Sequence, residues 1–502
     1  MIYPLYAFVA IGLCTAFSIL ILGKIREWLA PLVAVIAASV LFALSLNALS
    51  AAHTGLKIFP MGKWMPPVGI VMMLDNLTGL MLVTVNFIGL MALIYSVPYI
   101  KRFTSTVYYY SLFMLMLTGM NGVVVTGDLF NLYVFLEITS IASYGLVAFG
   151  VESEELEAAF KYLILSSIAS TMIFLGIGII FIKTSTLNMA DIAMTLASQG
   201  AAGKNALLLA TVVFLCGFAF KAALVPFHAW LPDAHPSAPA PVSSMLSGLV
   251  IKVLGAYAIC RVMFNVIGIT PAVLSVLLAL GLISMIVGVL LAIRQTDFKR
   301  LLAFHSISQM GYIITGISIG TPLGIAAGLF HLFNHSVFKS LLFMNAGSVE
   351  YATGTRRMER LGNLNKKMPV TGITSLIASL SIAGIPPLNG FWSKLFIIIA
   401  LFQAGFMKSG IVAIIVSIMT LASFLKVQKM VFYRKIEDAE DPINIENVRE
   451  VPFLMQFSMV ILAAVCVIAG LYFLPLTKTV FEPAAKALTD GFAYVKLVIP
   501  GG

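Results

Sequence analysis

The 502 residues carry 60 % hydrophobic side chains and only 10 % Asp, Glu, Lys and Arg, against roughly 25 % charged residues in ordinary soluble chains. Too few polar groups exist to cover a water-facing surface of this size, which excludes a soluble enzyme or binding module and leaves a polytopic membrane protein. The formal net charge of +10 is scattered in short clusters, which speaks against nucleic acid and fits basic loops on one side of a membrane.

A helix needs about 20 apolar residues to cross the hydrocarbon. In chain order such windows fall at 2–22, 29–50, 70–97, 106–126, 129–150, 158–182, 206–227, 240–263, 271–293, 299–319, 322–349, 371–402, 408–433 and 453–474. The first is followed rather than preceded by its basic residues, Lys24 and Arg26, the reverse of a cleaved signal peptide, so it reads as a spanning helix. The expectation is an all-α polytopic membrane protein with 14 transmembrane helices. The longest polar stretches, 183–205, 351–370 and 434–452, are too short for a catalytic domain. Residues 482–496 read as a short interfacial helix or a frayed tail.

With alternating sides, one set of loops holds 17 Lys and Arg, among them Lys24, Lys101, Lys299, Arg356 and Arg434. The other holds 9, including Lys57, Lys204, Arg261 and Lys478. The richer set is expected to be cytoplasmic, which puts the N- and C-termini on the outer side.

Five basic residues remain inside the windows: Lys161, Lys221, Lys252, Lys339 and Lys394. A basic side chain at mid-bilayer costs about 2.5–3.5 kcal/mol, and is retained where it faces a protein interior or a wet cavity. Lys161 and Lys339 lie where their side chains can also snorkel to a helix end; Lys221 and Lys252 are too deep for that. Glu137 is the acidic counterpart. Paired with Lys221 it would form a proton device, because protonating either partner alters the other. A static pair holding two helices together is the plainer alternative, but it leaves the other lysines unexplained.

His331 and His335 are four residues apart on one helix face, and Lys339 continues the stripe. Two imidazoles without a third ligand fit a proton relay better than a metal site, with packing or hydrogen bonding as the simpler alternative. His228, Asp233 and His235 stand beside a proline-rich break after Lys221 and read as an entrance from the cytoplasmic side, to which His305 could link. Pro226 must interrupt the seventh helix. A second break falls in the twelfth, at Gly384 to Pro387, with Lys394 just beyond. An offset near 170 residues registers the two breaks. It predicts two inverted five-helix repeats with broken helices 7 and 12: 1–105 for helices 1–3, 106–263 for the first repeat, 271–433 for the second, and 434–502 for helix 14 and a short tail. Cys14, Cys216, Cys260 and Cys466 occur singly, and no nucleotide or flavin fingerprint is present. No cofactor is expected in this chain, and no redox catalysis of its own.

The stretches GDLFNLYVFLEITSIASYGLV (127–147), FKAALVPFHAWLPDAHPSAPAPVSSMLSGLVIKVLGAYAICR (220–261), HLFNHSVFKSLLFM (331–344) and GIPPLNGFWSK (384–394) closely resemble the proton-conducting antiporter-like membrane subunits of respiratory complex I. That family is shared with multisubunit cation/proton antiporters and energy-converting membrane-bound hydrogenases. By this resemblance Glu137 is the essential glutamate of the fifth helix, Lys221 its partner, and Lys252 the connecting lysine. His331 and His335 form the relay and Lys394 is the terminal lysine, with Lys161, His228, His305 and Lys339 as auxiliary groups. The resemblance implies a half-channel in each repeat joined by a hydrated axis. The segment PDAHPSAPAPVSSMLSGLVIKV is most similar to hydrogenase- or sulfur-reductase-linked archaeal subunits. The expected function is therefore proton or sodium/proton translocation in a redox-driven complex such as a ferredoxin-dependent membrane-bound hydrogenase. A multisubunit cation/proton antiporter without redox chemistry is the alternative. The implied partners are lipids, other membrane subunits and a peripheral redox module carrying iron–sulfur clusters and nickel–iron. The implied location is a prokaryotic plasma membrane.

Overall fold

The computed structural model describes residues 5–103, 105–198 and 204–499. The two chain ends, residues 199–203 of the polar stretch and the side chain of Lys204 lie outside the described residues.

Helices dominate. α1 (Tyr6–Ile25) and α2 (Leu29–Ala52) form an antiparallel pair, followed by a short hairpin of β1 (Lys57–Pro60) and β2 (Val71–Leu74) with Ile58 opposite Met73. α3 (Asn76–Tyr99) starts where the Asp75 carboxylate accepts the Thr78 amide at 2.8 Å, a cap that satisfies one of the free N–H groups of a first turn. α4 (Thr106–Val125) returns beside it, and Asp128 caps α5 (Leu129–Val147) by accepting the Asn131 amide at 2.7 Å. α6 (Ser153–Thr184) opens on a reciprocal Glu152–Glu155 capping box. After α7 (Met189–Ser198) comes α8 (Lys204–Lys221), which stops before Pro226, and the chain turns through 222–230 into α9 (Leu231–Ser237). α10 (Ala240–Ile267) is one rod whose turns widen to π-type at Leu246–Val250, Lys252–Tyr257 and Arg261–Ile267.

α11 (Pro271–Ile293), α12 (Phe298–Ser318) and α13 (Pro322–Thr353) follow, capped by Thr270, Asp297 and Thr321. α14 (Pro369–Ala383) ends on Gly384 at φ +81°, a conformation suited to glycine. α15 (Asn389–Gln403), α16 (Met407–Val427), α17 (Phe453–Leu471) and the short α18 (Glu482–Thr489) follow, with one more helical turn at Val495–Val498.

Burial identifies the centre. The most apolar window of α3 is 83 % buried and that of α10 is 94 % buried, against 33–39 % for α1, α2, α6, α11 and α16. The outer helices present Phe17, Ile21, Ile141, Phe160, Ile182 and Ile418 outward, which is tolerable only where the surroundings are lipid.

Ten described helices are long and apolar enough to cross a membrane, not fourteen, and they do not resolve into two inverted five-helix repeats. Four windows account for the difference. The window 206–227 is cut short at Lys221, and 371–402 is divided into α14 and α15, of 15 residues each. α12 and α13, 21 and 32 residues long, carry His305, Gln309, His331, Asn334 and His335 where an apolar face was expected. The two halves also differ in build: the first break leads into the deeply buried, π-distorted α10, the second into α15 and the largely exposed α16.

Candidate functional site

Helix ends on one face gather Glu154, Glu157, Lys161, Asp233, Asp297, Arg300, Glu350 and Arg356 around a polar vestibule of about 760 Å³. Arg356 bridges Asp297 (2.6 Å) and Glu154 (2.5 Å), and Lys299 meets Glu350 at 2.6 Å. Lys161 stands half-exposed at this mouth, 2.7 Å from Glu157 and 3.2 Å from Asp233. His228 is half-buried on the turn beyond Lys221. His235 is fully buried, its ring 5.9 Å from Trp230 and 5.7 Å from Phe343.

Beneath the vestibule, Lys221 at the broken end of α8 reaches toward α5 and α6. Its Nζ lies 3.8 Å from Glu137 Oε1 and donates to Ser140 Oγ at 2.9 Å and Ser166 Oγ at 2.6 Å; Ser170 donates to the Glu137 carboxylate. The break keeps its backbone satisfied: Val225 N–H donates to Ser284 Oγ of α11 at 2.9 Å, and the Phe220 carbonyl accepts Trp230 Nε1–H at 3.2 Å. Irregular backbone at this depth survives only inside protein or beside water. Gly255 lets α10 lie against the break, because a Cβ there would stand 2.4 Å from Ala222 Cα.

The middle of the molecule holds a second cluster. Lys252 projects from a π-type turn of α10, a distortion frequent at functional positions, and donates to the Ser247 carbonyl. Ser247 Oγ and Ser306 Oγ are 2.6 Å apart, joining α10 to α12. On α13, the His331 and His335 rings stack with centroids 6.3 Å apart. His331 is held by Ser393 Oγ (2.9 Å) and Gln309 Oε1 (3.1 Å). Both His335 nitrogens and Lys339 Nζ are buried without a hydrogen-bond partner among the described residues. Lys252, Lys339, His331 and Lys394 all lie within electrostatic reach of His335. His305 pairs its Nε2 with Ser423 Oγ at 2.8 Å.

Beyond the second break, Lys394 donates to the Ile382 carbonyl at 2.7 Å and to Ser417 Oγ at 3.3 Å, with its ammonium 4.8 Å from the Tyr312 ring centroid. Asn334 and Asn389 clamp this break: Asn334 Nδ2 donates to the Asn389 main-chain carbonyl and Asn389 Nδ2 to Asn334 Oδ1, both at 2.9 Å. Among the described residues no group of three His, Cys, Asp or Glu is placed to hold a metal ion, and the four cysteines are free.

Residues 126–423 match the family model described as NADH:quinone oxidoreductase/Mrp antiporter, transmembrane, and 64–110 match that of the chain 5 N-terminus of NADH–ubiquinone oxidoreductase (complex I). The chain belongs to this antiporter family. It is 36 % identical over 421 residues to an NADH-quinone oxidoreductase subunit of Desulforudis audaxviator, covering 82 % of this chain and 83 % of that one. To a Na(+)/H(+) antiporter subunit of Alkalihalophilus pseudofirmus it is 33 % identical, covering 90 % of both. Its fold superposes on a chain of the Mrp complex from Dietzia sp. DQ12-45-1b with a TM-score of 0.91, 29 % identity and 98 % of both chains covered. A chain of the membrane-bound sulfane sulfur reductase, an archaeal respiratory membrane complex, gives 0.89, 28 % and 99 % of both. The protein is thus a multi-pass, antiporter-like subunit of a prokaryotic plasma membrane, related to Mrp antiporters and to redox complexes alike.

The antiporter-family site contains more than sequence reading singled out. Ser140, Ser166 and Ser170 surround the Glu137–Lys221 pair, Gln309 and Ser393 hold His331, Ser417 holds Lys394, and Ser306 ties α12 to Ser247 of α10. Two basic residues assigned to loops, Lys299 and Arg261, are buried. Arg261 grips Asp75 through both guanidinium nitrogens at 2.6 and 2.7 Å, a pairing across 186 positions that no local pattern announces. Glu137 with Lys221, and His331 with His335, do come together, whereas Lys221 bonds to the serines of α5 and α6 and Lys252 to Ser247 of its own helix.

Proposed function

We propose that the chain is a proton- and cation-translocating subunit of a multisubunit cation/proton antiporter. One arrangement carries the reading. An acid and an amine are loosely paired under a polar vestibule, and a row of buried amines and imidazoles continues from Lys252 through His335 and His331 to Lys394. The likeness to an antiporter subunit across nine-tenths of both chains supports it.

A proton reaching Glu137 from the vestibule removes the counter-charge beside Lys221, which stays bonded to Ser140 and Ser166. Lys221 is then free to pass its influence inward, to Lys252 and the His335–His331 stack. Buried polar atoms rarely go without partners, so the unpartnered nitrogens of His335 and Lys339 favour a hydrated passage. Lys394, between the second break and Ser417, is the last amine of the row. Lys161 serves the vestibule, His228 sits on the turn beyond Lys221, and His305 flanks the central stack.

Membrane partners of the antiporter assembly would complete the transport unit. The likeness to the sulfane sulfur reductase supports a second reading, in which the same row is driven by a redox module. On that reading, iron–sulfur clusters and nickel–iron belong to the partner subunits. Sealed inverted vesicles carrying the chain with its partners separate the two. The antiporter reading expects an imposed pH gradient to collapse on adding Na⁺ or K⁺ with no electron donor present. Collapse or proton pumping seen only with an electron donor would replace it by the redox reading.

A further inference from the structure

A second cavity, of about 620 Å³, lies far from the titratable row, between the start of α2 and the junction of α3 with α4. Leu32, Val35, Val97 and Ile100 form its walls, while Glu27, Trp28 and Lys101 stand at its mouth. The tight turn from α1 into α2 sets this mouth: Leu29 and Ala30 donate their amides to the Arg26 and Glu27 carbonyls at 3.1 and 3.2 Å, leaving Lys24, Arg26, Glu27 and Trp28 exposed.

The mouth lies on the same face as the polar vestibule, because neighbouring Arg102 stacks on Tyr351 at the end of α13. Lys24, Arg26 and Lys101 face outward there, with Glu27 as the carboxylate beside them. Arg102, exposed beside them, is engaged with Tyr351: its guanidinium stacks on the ring and donates to the Tyr351 carbonyl. An apolar slot between helix ends, an exposed indole at its mouth and exposed cations beside it together match one chemistry: an anionic phospholipid with one chain in the slot.

We propose that this cavity is a binding site for an anionic phospholipid, with Lys101 as its headgroup contact and Trp28 at the mouth of its chain slot. The proposal stands apart from the transport reading, since none of these residues belongs to the buried row.

The test uses the full chain in phosphatidylcholine vesicles containing a small fixed fraction of either dibrominated phosphatidylglycerol or dibrominated phosphatidylcholine. The Trp28 signal is isolated by subtracting the W28F variant. Brominated phosphatidylglycerol should quench Trp28 roughly fivefold more effectively than brominated phosphatidylcholine, the equivalent of about 1 kcal/mol for one lysine near the headgroups. Lys101→Gln should remove the preference and Lys101→Arg should keep it, with both variants eluting as the wild type on size exclusion. Equal quenching by the two lipids overturns the proposal, as does a preference unchanged in Lys101→Gln. Absence of quenching by either lipid in the assembled complex would assign the slot to a partner helix and overturn it too.

Discussion

Lys221 Nζ stands 3.8 Å from Glu137 Oε1 yet directs its shorter contacts to two serine hydroxyls, Ser166 at 2.6 Å and Ser140 at 2.9 Å. The amine is held by neutral acceptors beside its counter-charge rather than locked onto it. A pair built this way can change partners without leaving a bare charge in the protein interior.

Glu137→Gln keeps the shape of the side chain and its bond from Ser170 while removing the charge. Cation-driven proton movement in vesicles should fall at least about tenfold, an added barrier of about 1.4 kcal/mol or more, with the complex still assembled on size exclusion. Ser140→Ala with Ser166→Ala should give a smaller loss, because Lys221 retains Glu137. Full transport in Glu137→Gln would remove the pair from the path.

Lys394→Ala takes away the amine that the Ile382 carbonyl and Ser417 hold beside the second break. Transport in sealed vesicles should stop, while Ser417→Ala should only slow it. Equal, wild-type rates in both variants would show that the row does not end at Lys394.

The Asp75–Arg261 pair predicts a pH-dependent stability. Burial pushes the Asp75 carboxyl up, but the Arg261 charge and hydrogen bonds, with those of Thr78, outweigh this and hold it below the usual carboxylate range. A group depressed on folding stabilises the protein above its unfolded pKa, and that contribution is lost as pH falls through the folded value. The melting midpoint in detergent should therefore be steady near neutral pH and fall in acid. Asp75→Asn should lower the midpoint at neutral pH, since breaking a buried pair costs about 3–5 kcal/mol, and should flatten the acid-side slope. An unchanged slope would mean that other carboxylates govern acid stability.

Gly255→Ala places a methyl against Ala222 and touches no titratable group. It should push α10 away from the first break and reduce transport, with a lowered melting midpoint. Wild-type values for both would show that the contact yields without consequence.

The sequence made the membrane class and ten of the spanning windows legible, because uninterrupted apolar runs such as 29–50 and 271–293 have few alternatives. It failed where hydropathy and length part company. Lys221 and Pro226 cut one window short, Gly384 to Pro387 halves another, and the polar faces of α12 and α13 are covered by protein rather than lipid. Within the site, buried Lys, His and Glu stand out because their types are costly in a membrane. Ser140, Ser166, Gln309 and Ser417 do not, since such residues occur throughout apolar helices. Lys161, placed by hydropathy inside a window, is at the vestibule mouth because Asp233 arrives there from a segment 72 positions away. Lys299 and Arg261 looked like loop cations for the converse reason: their partners Glu350 and Asp75 are distant in sequence.

Lys252 tests the account most directly, because the proposed row passes through it on the way from the Glu137–Lys221 pair to His335 and Lys394. Proton and cation fluxes should be measured in sealed vesicles holding the assembled complex with Lys252→Met, a substitution of similar length that keeps the core filled. Flux should fall to the level of vesicles lacking the chain, although Glu137, Lys221 and Lys394 are intact. Flux equal to wild type would contradict a connected row and require two ends that operate independently.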